Sequence, residues 1–199
     1  MAQNILLLDI DGVVIKKRAR YSSERFSEEY HIPYEKILPF FKNEFLLCET
    51  GKADLKQELQ KYIPTWSQSV SVDGFIDYWF SAERERDERV IALLDEFRGR
   101  GIPCYAASDQ EKYRAEDMRT KVGLDRHFDK MFFSCDVGYM KKQKEFFENV
   151  LRELHPARPA DVRYWDDDER VVATAHGVGI DAHLFTDFEN FRDKLKAQL

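Results

Sequence analysis

The chain is expected to fold as an α/β protein, a parallel central sheet with helices on both faces and an all-helical segment inserted after the first strand. Three observations lead there. Short apolar runs alternate with amphipathic helical stretches from about residue 84 onward, and strands spaced by helices favour a parallel sheet covered on both sides. Residues 15–84 break that alternation and read as helix throughout. Polar or acidic residues close several of the apolar runs, at the carboxyl ends where sheets of this kind place their ligand crevice.

The elements follow in order. Residues 5–9 are an apolar run ending in Asp9, a buried first strand, followed by Ile10, Asp11 and Gly12. From 84 to 98 the positions Val90, Leu93, Leu94 and Phe97 recur at helical spacing, and Gly99 and Gly101 end the run. Residues 102–107 read as a second strand closing at Ser108, 111–122 as a helix stopped by Gly123, and 130–134 as a third strand. Phe146, Phe147, Val150, Leu151 and Leu154 mark the next helix. A fourth strand over 162–165 runs into Asp166, Asp167 and Asp168. Residues 170–176 are a helix, 182–185 a fifth strand, and Phe188, Phe191 and Leu195 line a closing helix.

Four helices are expected in the insert. Ser22 or Ser23 is placed to cap one carrying Phe26 and Tyr30. Ile37, Phe40, Phe41 and Phe45 mark a second, with Pro39 constraining its start. Leu55, Leu59 and Tyr62 mark a third, and Phe75, Ile76, Trp79 and Phe80 a fourth. Aromatics at this spacing are expected chiefly to fill a bundle core. The division is therefore a core of residues 1–14 and 85–199, with 15–84 as a separate lobe over the strand tips.

Composition narrows the function. The chain has 199 residues, 43% hydrophobic and 34% charged, as in ordinary globular domains. Its net charge of −6 argues against broad binding to nucleic acid or a membrane surface. Cys48, Cys104 and Cys135 are far apart, without metal-ligand spacing or a disulfide framework. Cys104 and Cys135 lie in apolar strand-like runs and read as core. No leader peptide or membrane-length apolar stretch is recognisable, so a cytoplasmic location is expected. No Gly-rich phosphate loop and no Ser-His-Asp arrangement is present.

The acids at the strand ends carry the chemistry. Carboxylates crowded at one sheet edge are costly unless they bind a cation or react. Asp9 is a candidate nucleophile toward phosphorus, which would split one hard displacement into two easier ones through an aspartyl-phosphate. Asp11 is the candidate general acid and base, with a plainer alternative as cap of the turn at Gly12. Asp166, Asp167 and Asp168 facing Asp9 call for a cation, and Mg²⁺ suits an all-oxygen set that keeps several waters. Their plainer alternative is an acidic helix N-terminus. Ser108 is placed to hold phosphoryl oxygens or simply to cap a helix. Lys141 is a point charge for a phosphoryl group or for Asp9, or part of a solvated run with Lys142 and Lys144. Lys16, Lys17, Arg18 and Arg20 follow Asp11 as a solvated hinge loop or as a device that steers anions.

In this order the residues resemble the haloacid dehalogenase (HAD) superfamily. Its first motif matches Leu8-Asp9-Ile10-Asp11-Gly12-Val13, its second Ser108, its third Gly138-Tyr139-Met140-Lys141, and its fourth Tyr164-Trp165-Asp166-Asp167. The resemblance covers essentially the whole chain, and the insert looks like the family's small helical cap. It implies a Rossmann-like three-layer core and Mg²⁺ dependence. It also implies that Asp9 is nucleophile and metal ligand, and that Asp11 is acid/base with its backbone carbonyl on the metal. Asp167 is implied as the direct ligand of the acidic group, with Asp166 beside it, and Ser108 and Lys141 as holding the phosphate. Because the family's dehalogenases lack an acid at the position of Asp11, the phosphatase and phosphomutase branches are favoured.

Three departures stand out. Asp109 replaces the Asn common after the motif Ser, and an ionised Asp cannot donate to a phosphoryl oxygen. It is carried as a phosphate-side residue that either points away or weakens binding. Lys142-Gln143-Lys144 replaces a Pro-rich segment, which loosens the register of Lys141, and Asp168 adds negative charge. The reading is a Mg²⁺-dependent phosphatase of a small phosphorylated metabolite, a sugar phosphate among the candidates. The rivals are a phosphomutase with the same groups and a catalytically weak binding or regulatory protein on the same scaffold. Selectivity is expected from cap side chains such as Tyr21, Phe45 or Trp79. The sequence carries no signal for oligomeric state.

Overall fold

The computed structural model describes residues 4–198. In chain order its elements are β1 (Ile5–Leu8), α1 (Ser22–Glu29), α2 (Tyr34–Lys42), α3 (Glu44–Glu49), α4 (Leu55–Trp66), α5 (Val72–Ser81), α6 (Glu88–Gly99), β2 (Cys104–Ser108), α7 (Lys112–Thr120), β3 (Lys130–Phe133), α8 (Ser134–Val137), α9 (Lys144–Glu153), β4 (Val162–Asp166), α10 (Glu169–Gly177), β5 (Asp181–Leu184) and α11 (Phe188–Gln198), with two single 3₁₀ turns between them. The strands form one parallel sheet in the order β3-β2-β1-β4-β5.

The continuous apolar run of β1 has its cause in this topology. The strand is central, so both of its faces are covered and all four residues are buried. Successive side chains alternate between faces. Leu6 and Leu8 pack with Val90, Leu94 and Phe97 of α6, Met118 of α7 and Phe191 of α11. Ile5 and Leu7 pack on the other side with Phe146 and Phe147 of α9 and Val171 and Ala175 of α10. Leu8 is level with Ala106 and with Trp165. The register therefore delivers Asp9, Ser108 and Asp166 to one edge of the sheet.

The helical insert has its own core, built around Phe26, Phe40, Leu59 and Phe75. The chain enters and leaves it along two adjacent antiparallel segments: Lys16 N–H donates to Glu85 O at 2.8 Å and Asp87 N–H to Val14 O at 2.8 Å. Five helices form where four were expected. Pro39 lies inside α2 rather than limiting its start, and Phe45 belongs to the separate α3. Tyr21, not Ser22 or Ser23, precedes the first helical residue of α1; its N–H donates to Glu24 Oε2 at 2.9 Å, and Tyr30 lies just past the helix end. Ser22 instead donates to Glu83 Oε1 at 2.6 Å across the entry and exit segments.

Other boundaries shift for local reasons. Helix α6 starts at Glu88 rather than near 84 because Asp87 accepts the Arg89 N–H at 3.0 Å. Strand β2 begins at Cys104, two residues later than expected, and β3 ends at Phe133 as Ser134 opens α8. Cys135 is half-buried on that short helix rather than in a strand core.

Candidate active site

Past β1 the chain turns sharply. Val14 and Ile15 N–H groups both donate to Ile10 O, at 2.9 and 2.8 Å. Gly12 sits in this turn at φ 86°, and a Cβ there would lie 2.5 Å from Asp167 Oδ2. Only glycine permits both the backbone angle and the approach of the Asp167 carboxylate. That approach closes the site: one carboxylate oxygen from each of Asp9, Asp166 and Asp167 falls within 4.8 Å of the others.

Lys141 is the member of its basic run that turns inward. Its ammonium is buried, 2.5 Å from Asp9 Oδ1 and 2.7 Å from Asp166 Oδ2. Lys142 pairs outward with Asp168 at 3.2 Å and Lys144 with Glu148 at 3.1 Å. Asp109 explains the register: its Oδ1 accepts the Lys141 backbone N–H at 2.8 Å, pinning the loop across 32 residues of sequence. Asp109 thus has a task as an acceptor that Asn would also fill, and its charge lies against the loop that carries Lys141.

The three late acids divide their work. Asp166 has both oxygens occupied, Oδ1 by the Asp168 N–H at 2.8 Å and Oδ2 by Lys141 and the Tyr164 hydroxyl. Asp168 caps α10, accepting the Arg170 N–H at 3.0 Å, so the acidic-N-terminus alternative holds for this one residue. Asp167 receives Lys17 on Oδ2 at 2.9 Å and, among the described residues, accepts no hydrogen bond on Oδ1. The rest of the basic run is also paired rather than free, Lys16 with Glu85, Arg18 with Glu83 and Arg20 with Glu28.

Asp11 faces the same cleft. Its Oδ2 accepts the Gln110 Nε2–H at 2.7 Å, and Arg18 Nη2 lies 3.8 Å from Oδ1. Gln110 Nε2 also donates to Ser108 Oγ at 3.1 Å, and Ser134 Oγ holds the Gln110 backbone N–H at 2.9 Å. The structure therefore brings all seven residues singled out in the sequence, Asp9, Asp11, Ser108, Asp109, Lys141, Asp166 and Asp167, to the wall of one cleft of about 880 Å³.

Charge is tightly balanced here. Burial pushes the Asp9 carboxyl well above the usual carboxylate range, against the pull of Lys141. Burial disfavours the Lys141 ammonium, but Asp9 and Asp166 outweigh it and hold its pKa above the ordinary lysine value. Burial and the Asp166 charge push the Tyr164 hydroxyl up, so it stays a donor. Arg170 holds Asp168 below the ordinary range. Lys141 neutralises one charge of the Asp9–Asp166–Asp167 set. The remaining excess of hard oxygen donors fits Mg²⁺ held by Asp9 and Asp167 with Asp166 adjacent.

Four contributors escaped sequence reasoning. Tyr164 was signalled: two residues before Asp166 in a strand, it shares its sheet face. Gln110 lies two residues past Ser108 and had no distinguishing pattern. Glu49, from α3, lines the cleft, and Glu83, at the insert's boundary, pairs with Arg18 on its wall; only tertiary structure brings them there. Gly51, at φ 69°, lets the chain after α3 press against the Cys135 carbonyl, which sets Glu49 over the strand tips. Burial, then the charges of Asp109 and Asp11, push the Glu49 carboxyl up to about 8.

Fold, motif order and site together define a hydrolase class. A family model described as haloacid dehalogenase-like hydrolase matches residues 4–179, and the chain belongs to that family. Among curated proteins, the sesquiterpene phosphatase astK of Aspergillus oryzae is 29% identical over 104 residues, 51% of each chain; this chain spans about half the length of that relative. A HAD-family enzyme of Bacteroides thetaiotaomicron superposes with TM-score 0.83 at 19% identity, covering 96% of this chain and 99% of its own. The same enzyme solved with magnesium and inorganic phosphate gives 0.80 at 19% identity, covering 96% and 99%. A HAD-like family hydrolase of Porphyromonas gingivalis gives 0.79 at 20% identity, covering 100% and 98%. These likenesses establish the parallel α/β fold.

Proposed function

We propose that this protein is a Mg²⁺-dependent phosphomonoesterase that hydrolyses a small phosphorylated metabolite through an aspartyl-phosphate on Asp9. One observation carries the reading: carboxylate oxygens of Asp9, Asp166 and Asp167 converge within 4.8 Å, with the buried Lys141 against Asp9 and Asp166 and Asp11 on the same cleft. The solved relative that binds magnesium and phosphate, and the relative named a sesquiterpene phosphatase, are consistent with it.

In this reading Asp9 attacks phosphorus, the ester P–O bond breaks, and protonated Asp11 gives its proton to the departing alkoxide oxygen. Asp11, now ionised, takes a proton from water as that water attacks the phospho-Asp9. The P–O bond to Asp9 breaks and inorganic phosphate leaves. Ser108 and Lys141 hold non-bridging phosphoryl oxygens, and Gln110 orients Asp11. Mg²⁺, held by Asp9, Asp167 and the Asp11 carbonyl, would supply charge neutralisation for an anion approaching an anionic nucleophile. Residues 15–84 act as a cap over a core of 1–14 and 85–199, excluding bulk water. The three free thiols suit a reducing, cytoplasmic compartment.

The test is phosphate release from a panel of phosphate monoesters with Mg²⁺ and with chelator. Release with Mg²⁺ alone, and none from Asp9→Asn, is the expected result. An isomerised substrate without free phosphate would make it a mutase. Feeble turnover across the panel despite Mg²⁺ binding would make it a binding protein.

A further inference from the structure

A second cavity, of about 450 Å³, opens from the cleft into the insert. The two spaces share Asp11, Arg18, Tyr21, Glu49 and Asp109. Its far wall is different in kind. Tyr34, Leu38, Phe41, Phe45 and Trp79, from α2, α3 and α5, present half-buried apolar surface to it. Phe41, Phe45 and Trp79 pack mutually, with ring centroids 5.2 to 5.5 Å apart. That contact fixes a rigid aromatic face, and its size and character are those of a small-molecule pocket.

Two further observations bear on what fills it. In an in-line displacement the leaving oxygen departs on the side away from Asp9 and must meet the acid that protonates it. Asp11 is that acid in the proposed reaction, and Asp11 borders this cavity. Several polar groups on the wall are already paired. Glu83 is taken by Arg18 and Ser22, and Arg114 by Asp117 and the Phe80 carbonyl. Glu49, at the mouth, is the acid that keeps no hydrogen bond or salt bridge among the described residues. A polyol packed against the Phe41–Phe45–Trp79 face would lose water from several hydroxyls without regaining a partner for each, which costs more than it returns.

We infer that this cavity receives the leaving group, and that the preferred substrate is the phosphate monoester of an apolar or aromatic alcohol rather than of a sugar. The inference rests on the phosphomonoesterase reading of the cleft and narrows it. Its body packs on the Phe41–Phe45–Trp79 face, with Glu49 offering one hydrogen bond near the ester.

The experiment measures kcat/KM with Mg²⁺ for phenethyl phosphate, glucose 6-phosphate and glycerol phosphate, with acetyl phosphate as a substrate too small to fill the cavity. Phenethyl phosphate is expected to exceed both polyol esters by about tenfold or more. In Leu38→Asn, which places an amide on the apolar wall at a half-buried position, that ratio should fall about tenfold. If acetyl phosphate is hydrolysed and glucose 6-phosphate or glycerol phosphate equals or surpasses phenethyl phosphate, the cavity assignment is wrong while the phosphatase reading stands. If neither acetyl phosphate nor any of the esters releases phosphate, both fall together. Should Leu38→Asn fail to fold, the wild-type ratio alone decides.

Discussion

Lys141 and Asp9 form a buried ion pair, Nζ to Oδ1 2.5 Å, at the tip of the first strand. The same ammonium reaches Asp166 at 2.7 Å, so one side chain compensates two buried carboxylates. Removing one partner of such a set leaves charge uncompensated in a low-dielectric site. Lys141→Met is expected to cost about 3–5 kcal/mol of stability without divalent cation. Urea unfolding with and without Mg²⁺ measures this, and Mg²⁺ should restore part of the loss. An unchanged midpoint would mean that Lys141 does not hold these acids together.

Gln110 ties Asp11, the proposed acid/base, to Ser108 through one amide, at 2.7 Å and 3.1 Å. Gln110→Leu keeps the volume and deletes the donor. The expected result is a fall in kcat of about tenfold with KM little changed, because orientation rather than binding is lost. Steady-state kinetics on any accepted ester settles it. A rise in KM at constant kcat would place Gln110 in substrate binding instead.

Gly12→Ala tests the closure of the proposed cation site. The substitution strains a residue at φ 86° and drives a methyl against the Asp167 carboxylate. The backbone strain alone costs about 1–3 kcal/mol. Displacement of Asp167 should weaken Mg²⁺ binding, read by calorimetric titration. Unaltered Mg²⁺ affinity in a folded Gly12→Ala protein would remove Asp167 from the ligand set.

Much of this was written locally. The strands of the core are short, apolar and bounded by polar ends, so periodicity finds them. Asp9, Ser108 and Asp166 converge because a parallel sheet brings the carboxyl ends of its strands to one edge. What the sequence hid is what folding alone decides. The pairing of Asp109 with the Lys141 backbone spans 32 residues, and no local pattern encodes it. Pro39 reads as a boundary but lies within a helix whose neighbours pack around it. Of the aromatics in the insert, Phe26, Phe40 and Phe75 are core as expected, whereas Phe45 and Trp79 also face a cavity; helical spacing is the same for both groups.

Glu111 supplies a pH signature. It caps α7, accepting the Tyr113 N–H at 2.9 Å and the Arg114 N–H, yet burial outweighs those bonds and pushes its carboxyl up to about 7 from 4.5. A folded pKa above the unfolded one means that the folded state holds the proton more tightly. The resulting stability is full below about 4.5 and is lost as pH rises through about 7. Between pH 4.5 and 8 the loss from this group is about 2–3 kcal/mol. Glu111→Gln keeps an acceptor and cannot ionise, so its stability should vary less over that window. Thermal unfolding of both proteins from pH 5 to pH 8 compares the slopes; identical slopes would exclude Glu111 as the titrating group.

The central claim is covalent, and mass spectrometry addresses it directly. The protein is mixed with Mg²⁺ and a turned-over ester, quenched in acid within the first turnover, and digested. The account predicts a phosphoryl group on Asp9, appearing and decaying with turnover and missing from Asp9→Asn. Sustained Mg²⁺-dependent phosphate release by Asp9→Asn, with no adduct on the wild-type protein, would contradict it.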